Sequence, residues 1–188
     1  IMVGVGRGAQ SGVLIKNAEA LERMERVDTL VVDKTGTLTE GKPKVVALRS
    51  AAGFTDDDVL RLAASVERAS EHPLALAIVA AAGERKLALA EPEGVDSPVG
   101  KGVFGMAGGR TVLIGNSSFL RERGVDVESL ERQADAMRKD GATAIFVGID
   151  ERPAGVIGIA DPVKQTTPEA LAALKKAGVR VIMLTGDN

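Results

Sequence analysis

The sequence predicts an α/β protein in which a domain built on a parallel sheet is interrupted by a second α/β domain of antiparallel strands and helices. Apolar runs at 30–32 and 179–184 each end in a polar loop, as expected of buried strands in a parallel sheet. The chain between them alternates short strands, glycine turns and amphipathic helices. We therefore expect residues 1–42 and 161–188 to form the first domain and residues 43–160 the inserted one.

The composition indicates a globular protein and excludes several kinds of function. Of the 188 residues 45% are hydrophobic, but only four are Phe and none is Trp or Tyr, so the cores must consist of Val, Leu, Ile and Ala. Disulfides, thiolate metal sites and a Cys nucleophile are excluded because the chain has no Cys. A net charge of −2 and a pI near 5.6 predict no nucleic-acid partner. No apolar run approaches the roughly 20 residues of a membrane-spanning helix, so we expect no membrane contact by this chain itself, and no signal peptide is evident.

The start of the chain predicts a short strand and a helix ahead of the first long strand. Residues 4–12 are rich in glycine but lack both the GxGxxG spacing and a preceding strand, which disfavours a dinucleotide-binding loop. The residues that follow predict a strand at 13–15 and a helix at about 18–26.

The strand at 30–32 delivers the carboxylate of Asp33 to a turn rich in Thr and Gly. Open α/β sheets bind ligands at the carboxyl ends of their strands. A carboxylate can attack phosphorus only when the charge of the phosphoryl group is offset, and Lys34, the Thr hydroxyls, the amides around Gly36 and a metal ion could do so. We interpret Asp33 as a nucleophile that forms an aspartyl-phosphate; the alternative is an Asp that caps a turn.

The inserted domain begins after a turn at 40–43, which we expect to be a hinge. A helix is predicted from Thr55, whose Thr-Asp-Asp-Asp start resembles a capping box, and another from Pro73. A Gly-Gly pair at 108–109 indicates a hairpin turn. In chain order the remaining predictions are strands at 94–99, 103–107 and 111–114, a helix beginning at 116 or 117, a helix at 127–139, and strands at 144–149 and 154–160.

The end of the chain returns to the parallel-sheet pattern. A helix is predicted to begin at Thr166 or Thr167, and a strand at 179–184 follows it. This is a βαβ pattern, and the usual right-handed crossover would place the last strand in the same parallel sheet as the strand before Asp33.

Two short runs in the inserted domain could face a nucleotide. His72, the only His, lies just before a helix N-terminus, where the helix dipole disfavours an imidazolium, so a neutral ring could stack on a purine. The alternative is a capping or partly buried His. Gly100, Lys101 and Gly102 could let backbone approach a ligand and add a charge suited to phosphate, although the pattern taken alone favours a plain turn.

The run from Asp33 to Thr39, DKTGTLT, resembles the phosphorylation signature of the P-type ATPases. The resemblance implies that Asp33 takes the γ-phosphoryl group of ATP on a domain of haloacid dehalogenase-like, Rossmann-like fold, here incomplete. Phosphatases of that superfamily carry a second Asp two residues after the nucleophile, where this chain has Thr35. A hydroxyl cannot act as a general base at neutral pH, so the resemblance favours a pump over a phosphatase.

Further motifs resemble those of heavy-metal P-type ATPases and imply where ATP and Mg²⁺ bind. The run Ser-Glu-His-Pro at 70–73 resembles their nucleotide-domain motif, and Thr-Gly-Asp at 185–187 their second phosphoryl-site motif. Mg²⁺ would contact the Asp33 carboxylate and the Thr35 backbone carbonyl. The residues implied for catalysis are Asp33, Lys34, Thr35, Thr185, Gly186 and Asp187. Those implied for nucleotide binding are Glu67, His72, Gly100, Lys101, Gly102, Gly115 and Asn116.

The resemblance is closest, over residues 4–44, to the branch that exports copper and silver. The chain lacks that family's GDGxND segment, its TGE actuator motif and its Cys-Pro-Cys transport site. We therefore expect a cytoplasmic part of a membrane pump, whose partners are the pump's remaining membrane, actuator and metal-binding domains. The alternatives are a soluble phosphohydrolase of the same superfamily and a nucleotide-binding fragment without catalysis.

Overall fold

The computed structural model describes residues 2–184, so the predicted site residues Thr185, Gly186 and Asp187 lie outside the described residues. The chain divides into two compact units, one containing residues 2–39 and 163–184 and the other residues Glu40–Pro162. The functional domain boundaries at 42 and 161 stay a prediction.

The described residues form seven α-helices and eight β-strands, separated by turns and irregular segments. In chain order they are α1 (Met2–Gln10), α2 (Ala18–Glu25), β1 (Thr29–Asp33), β2 (Lys44–Ser50), α3 (Asp56–Glu67), α4 (Pro73–Glu84), β3 (Pro92–Asp96), β4 (Gly102–Ala107), β5 (Arg110–Gly115), α5 (Ser117–Glu122), α6 (Glu128–Lys139), β6 (Thr143–Ile149), β7 (Arg152–Ala160), α7 (Thr167–Lys176) and β8 (Arg180–Leu184).

The first unit is built on β1 and β8, which pair in parallel as the sequence predicted. Thr29 lies opposite Arg180 and Asp33 opposite Leu184. Helix α7 precedes β8 and completes the βαβ pattern. Asp33, the predicted nucleophile, is therefore the last residue of β1, and its partner Leu184 is the last residue of β8.

The strand predicted at 13–15 is wrong, because this segment closes helix α1 instead of joining a sheet. The chain turns at Gly12, whose φ is +79°, and the Val13 amide then donates to the carbonyl of Gly8 at 2.8 Å. Ile15 follows close to Gly8, where a Cβ would lie 2.9 Å from the Ile15 Cδ1 atom. Ile15 thus packs on the end of the helix, as in a helix C-terminal motif, whereas Val13 and Leu14 are exposed.

The second unit is a six-stranded antiparallel sheet with the order β2-β7-β6-β5-β4-β3. The local sequence pattern of residues 44–50 does not predict its edge strand β2. The strand exists because it pairs with β7, for example Leu48 with Ile157, more than 100 positions further along the chain. Such a partner cannot be read from a local pattern.

Helices cover both faces of this sheet, and the alternation of side chains along each strand supplies two cores. On β6, Ile145, Val147 and Ile149 join the core beneath α3 and α4, while Phe146 joins the core beneath α5 and α6. The predicted inward residues of α6, namely Leu130, Ala134 and Met137, are all buried.

Candidate nucleotide and phosphoryl sites

A cavity of about 490 Å³ opens in the second unit, where the end of α3, the start of α4 and the first or last residues of β4, β5 and β6 meet. The loop before β4 forms a further wall. All seven residues predicted for nucleotide binding line it: Glu67, His72, Gly100, Lys101, Gly102, Gly115 and Asn116. They come from positions up to 49 apart in sequence, since the span runs from 67 to 116. The structure thus brings them together around one space.

Several lining residues were not foreseen. Leu74, Val103, Ile114 and Ile145 give the cavity apolar walls, and Thr143 and Ala144 lie beside them. The residues of β6 reach the cavity because this strand pairs with β5, with Phe146 opposite Gly115. No signal near 143–145 in the sequence could have revealed that pairing.

His72 caps helix α4, and this contact fixes its tautomer. The ring Nδ1 atom accepts a hydrogen bond from the backbone amide of Leu74 at 3.2 Å, and Pro73 occupies the first helical position. An Nδ1 atom that accepts carries no proton, so the neutral ring bears its proton on Nε2. The capping alternative is therefore realised, and the same bond holds the ring at the cavity wall.

Glu67 is the last residue of α3 and differs from every other side chain around the cavity. It is only 9% exposed, yet its carboxyl group forms no hydrogen bond or ion pair with any described residue. No fully buried side-chain oxygen of the described chain lacks a partner, so the carboxyl oxygens of Glu67 reach the cavity. Burial raises the pKa of Glu67 to about 7.

Gly102 and Gly115 are required for strand packing rather than for approach of a ligand. They lie opposite each other on β4 and β5. A Cβ at Gly102 would lie 2.2 Å from the carbonyl oxygen of Ile114, and one at Gly115 would lie 2.6 Å from that of Lys101. Both would also press on the ring of Phe119, at 2.7 and 2.8 Å. The space next to Gly100 is open, and its φ of +72° is what favours glycine there.

The two remaining predicted side chains also have structural contacts. The Lys101 ammonium group lies 2.6 Å from Glu122 Oε2 in a half-exposed ion pair, which offsets part of its charge. Asn116 caps α5 by accepting a hydrogen bond from the Phe119 amide at 2.8 Å. Since Phe119 also lies against both glycines, this cap connects the cavity wall to the core.

In the first unit, Asp33 is exposed at the end of β1 and begins a wide turn over Lys34–Leu38. We call residues 34–39 the Asp33 loop. Gly36 turns this loop with a φ of 75°. The buried hydroxyl of Thr39 closes it, since Thr39 Oγ1 accepts from the Gly36 amide at 3.1 Å and donates to the Lys34 carbonyl at 3.2 Å.

Two residues for which the sequence predicts no contact with the Asp33 loop also hold it. The Lys164 ammonium group donates to the carbonyl of Gly36 at 2.6 Å, and the Thr167 hydroxyl donates to the carbonyl of Leu38 at 2.8 Å. Thr39 also forms a bridge with Val163. The one sequence feature at this place is the Asp-Pro-Val-Lys run ahead of α7.

Within residues 2–184, no group of three or more His, Asp or Glu side chains is placed to hold a metal ion. The predicted pair, the Asp33 carboxylate and the Thr35 carbonyl, supplies two hard oxygen donors. This donor chemistry fits Mg²⁺, which commonly takes one or two protein ligands and completes its shell with phosphate and water. In the same part of the chain no helix is both long and apolar enough to cross a membrane.

Comparison with known sequences identifies relatives of the whole chain. Residues 27–188 match the model of the haloacid dehalogenase-like hydrolases. Over all its 188 residues the chain is 52% identical to a silver exporting P-type ATPase of Salmonella typhimurium and 52% identical to a copper-exporting P-type ATPase of Legionella pneumophila. The chain spans 23% and 25% of those relatives, about a quarter of their length.

Solved structures of P-type ATPases also match this chain. A zinc-transporting PIB-type ATPase in the E2.Pi state matches with a TM-score of 0.90 and 34% identity, covering 100% of this chain and 30% of that one. The catalytic domain of the CPx-ATPase CopB-B, whose structure concerns conformational changes upon nucleotide binding, matches with a TM-score of 0.67 and 28% identity. That match covers 93% of this chain and 60% of the other.

The packing of Gly102 predicts a strong effect of the smallest substitution. Gly102→Ala should lower the free energy of unfolding of the second unit by about 2 kcal/mol, because the new methyl group meets backbone as well as Phe119. Urea unfolding followed by circular dichroism measures this. Gly83→Ala is the matched control: nothing lies within 4 Å of its added Cβ, and in helix α4 it should stabilise by about 0.5 kcal/mol. Equal effects of the two changes would contradict the packing role.

Removing the ammonium group of Lys164 should loosen the Asp33 loop. In Lys164→Met the Gly36 carbonyl loses its hydrogen-bond donor, so the ¹³C resonance of this carbonyl should move. The backbone amides of the Asp33 loop should exchange faster with solvent. The free energy of unfolding should fall by only about 1 kcal/mol. Lys175→Met, at an exposed position of α7, is the control and should leave the loop unchanged. A Gly36 resonance that does not respond to Lys164→Met would refute this contact.

Proposed function

We propose that this chain, which belongs to the haloacid dehalogenase-like hydrolase family, carries the phosphorylation and nucleotide-binding functions of a P-type ATPase. Asp33 accepts the γ-phosphoryl group of ATP, and the cavity of the second unit binds the nucleotide. The observation that carries this proposal is the parallel pairing of Asp33 with Leu184, the residue immediately before the Thr-Gly-Asp run at 185–187.

The reaction is a transfer of one phosphoryl group. A carboxylate oxygen of Asp33 forms a bond to the γ-phosphorus as the bond from that phosphorus to the bridging oxygen of ADP breaks, which leaves an aspartyl-phosphate and ADP. The Asp33 carboxylate and the Thr35 carbonyl would hold Mg²⁺, whose charge would offset the negative charge of the phosphoryl oxygens. The Asp33 loop contributes backbone amides and the charge of Lys34, and Lys164 and Thr39 hold the loop in its turn.

The residue at position 35 decides how long the phosphorylated state persists. Thr35 has no carboxylate to remove a proton from an attacking water, so hydrolysis of the aspartyl-phosphate has no general base at this position. A persistent intermediate suits a cycle of conformational change in a pump better than turnover in a phosphatase.

Because both residues line the cavity, we expect the exposed His72 ring to stack on adenine and Glu67 to contact the edge of the base. The apolar side chains of Val103, Ile114 and Ile145 suit the rest of a purine. The Lys101 ammonium group would attract the phosphates of the nucleotide. Its ion pair with Glu122 weakens this attraction.

For the transported ion we propose copper or silver, with this chain in the cytoplasmic portion of the membrane pump and the pump's other domains as its partners. The support is the 52% identity to exporters of those metals, compared with 34% for a zinc transporter.

The nucleotide site is tested by NMR titration of the chain with Mg-ATP at micromolar to millimolar concentration. The amides of His72, Gly100 and Gly102 should shift, and His72→Ala should abolish most of the response. Because that change also removes the cap of α4, at a cost of about 1 kcal/mol, His72→Asn is the control that keeps a capping acceptor without a ring. Loss of the response in both variants supports stacking; an unaltered response in His72→Asn would rule it out.

The role of Asp33 is tested with Mg²⁺ and beryllium trifluoride, which together imitate an aspartyl-phosphate. The amides of the Asp33 loop should shift in the native chain and stay unchanged in Asp33→Asn. A response that survives this substitution would contradict the proposed nucleophile.

The second candidate function, a soluble phosphohydrolase, is favoured by the match to the hydrolase family model. Incubation with p-nitrophenyl phosphate separates the two functions. For the pump we expect no steady release of phosphate above background. Steady release that disappears in Asp33→Asn would favour the phosphohydrolase.

A further inference from the structure

We propose that Glu67 reads the base of the bound nucleotide as a neutral carboxylic acid, so that the cavity selects adenine over guanine at mildly acidic pH and loses this selection at mildly alkaline pH. The inference rests on the proposed nucleotide site. It adds the chemical basis of base selection and the way pH controls it.

The position of Glu67 disfavours its charged form. It ends helix α3, where the carbonyl groups of the last turn carry partial negative charge and repel a carboxylate. The residue is 9% exposed, and its side chain has no hydrogen-bond or ion-pair partner among residues 2–184. A carboxyl group placed in this way is stabilised as the acid.

The groups that face Glu67 across the cavity do little to offset a negative charge. Two titratable side chains line the cavity with it: His72, at the start of α4, and Lys101, ahead of β4. The Lys101 charge is paired with Glu122 at 2.6 Å, and the His72 Nδ1 atom accepts a hydrogen bond rather than donating one. The lining residues of β5 and β6, which include Ile114 and Thr143, carry no charge. Burial raises the pKa of Glu67 to about 7, so both its forms are populated near neutral pH.

The two forms of a carboxyl group match different purines. A neutral acid presents one O–H donor and one carbonyl acceptor. These complement the N1 acceptor and the N6 amino donor on the edge of adenine. A carboxylate presents only acceptors, which oppose the N1 lone pair of adenine but complement the N1–H and N2 amino donors of guanine. The protonation state of Glu67 therefore decides which purine is favoured.

The ratio of the dissociation constants for GTP and ATP isolates this effect from other titrations. Both nucleotides carry the same triphosphate, whose protonation cancels in the ratio, and both would stack on His72. Measurements without Mg²⁺, in the presence of EDTA, remove the metal equilibrium as well. The remaining pH dependence reports the contact with the edge of the base.

The experiment is isothermal titration of the 188-residue chain with ATP and with GTP at about pH 6 and about pH 8. With a pKa near 7, the neutral fraction of Glu67 falls from about nine tenths to about one tenth, so ATP binding should weaken about tenfold and the ratio of GTP to ATP constants should fall by at least that factor. Glu67→Gln, whose amide is a permanent donor and acceptor, should favour ATP equally at both pH values.

Glu84→Gln is the matched control. Glu84 ends helix α4 as Glu67 ends α3, but it is exposed and does not line the cavity. This variant should keep the pH dependence of the native chain.

A second measurement does not depend on the folding of any variant. The side-chain carboxyl ¹³C resonance of Glu67 in the native chain should titrate with a midpoint near 7, and the midpoint should rise when ATP is bound. A midpoint in the ordinary range for Glu, or a GTP to ATP ratio that does not change with pH while ATP binds, overturns this inference alone. Failure of the chain to bind either nucleotide at any pH overturns the nucleotide site together with it.

Discussion

The parallel pairing of β1 with β8 is the constraint on which the organisation of this protein depends. It joins residues 29–33 to residues 180–184, so the whole second unit is held as an insertion between two neighbouring strands. The insertion begins and ends at one place: the Glu40 amide donates to the carbonyl of Pro162, and the amides of Gly41 and Lys42 donate to the carboxylate of Asp161. A chain that closes on itself in this way can carry a large unit without disturbing the strand that ends in Asp33.

Around the cavity, most of the predicted side chains have a structural contact that also fixes their position. His72 caps α4, Asn116 caps α5 and Lys101 pairs with Glu122. Glycine at 102 permits the close packing of β4 against β5. These contacts hold the cavity wall before any ligand arrives, which is the property expected of a preorganised site. Glu67 is different, since its burial carries a cost in free energy that no contact within the described chain offsets.

The local features of the fold could be predicted because their causes are local. Thr55 accepts a hydrogen bond from the Asp58 amide as its capping-box pattern indicated, and α6 buries the face that its spacing marked. Strand β2 and the contacts of Lys164 could not be predicted, because their partners lie more than 100 positions away in the sequence. The error at 13–15 has a related cause: three β-branched or apolar residues suit a strand, but only a neighbouring strand makes them one.

The sequence by itself determined the chemistry of this protein: an Asp at the end of an apolar strand, a loop of hydroxyl and amide donors after it, and Thr at the position where a general base would stand. These properties belong to side chains and their spacing, and they need no knowledge of the rest of the chain. The tertiary structure decided which residues share a cavity and what surrounds each of them. The raised pKa of Glu67, the tautomer of His72 and the need for glycine at 102 all arise from groups that are distant in sequence or set by backbone geometry. Burial and contact are properties of the folded chain, and they cannot be read from the amino-acid sequence alone.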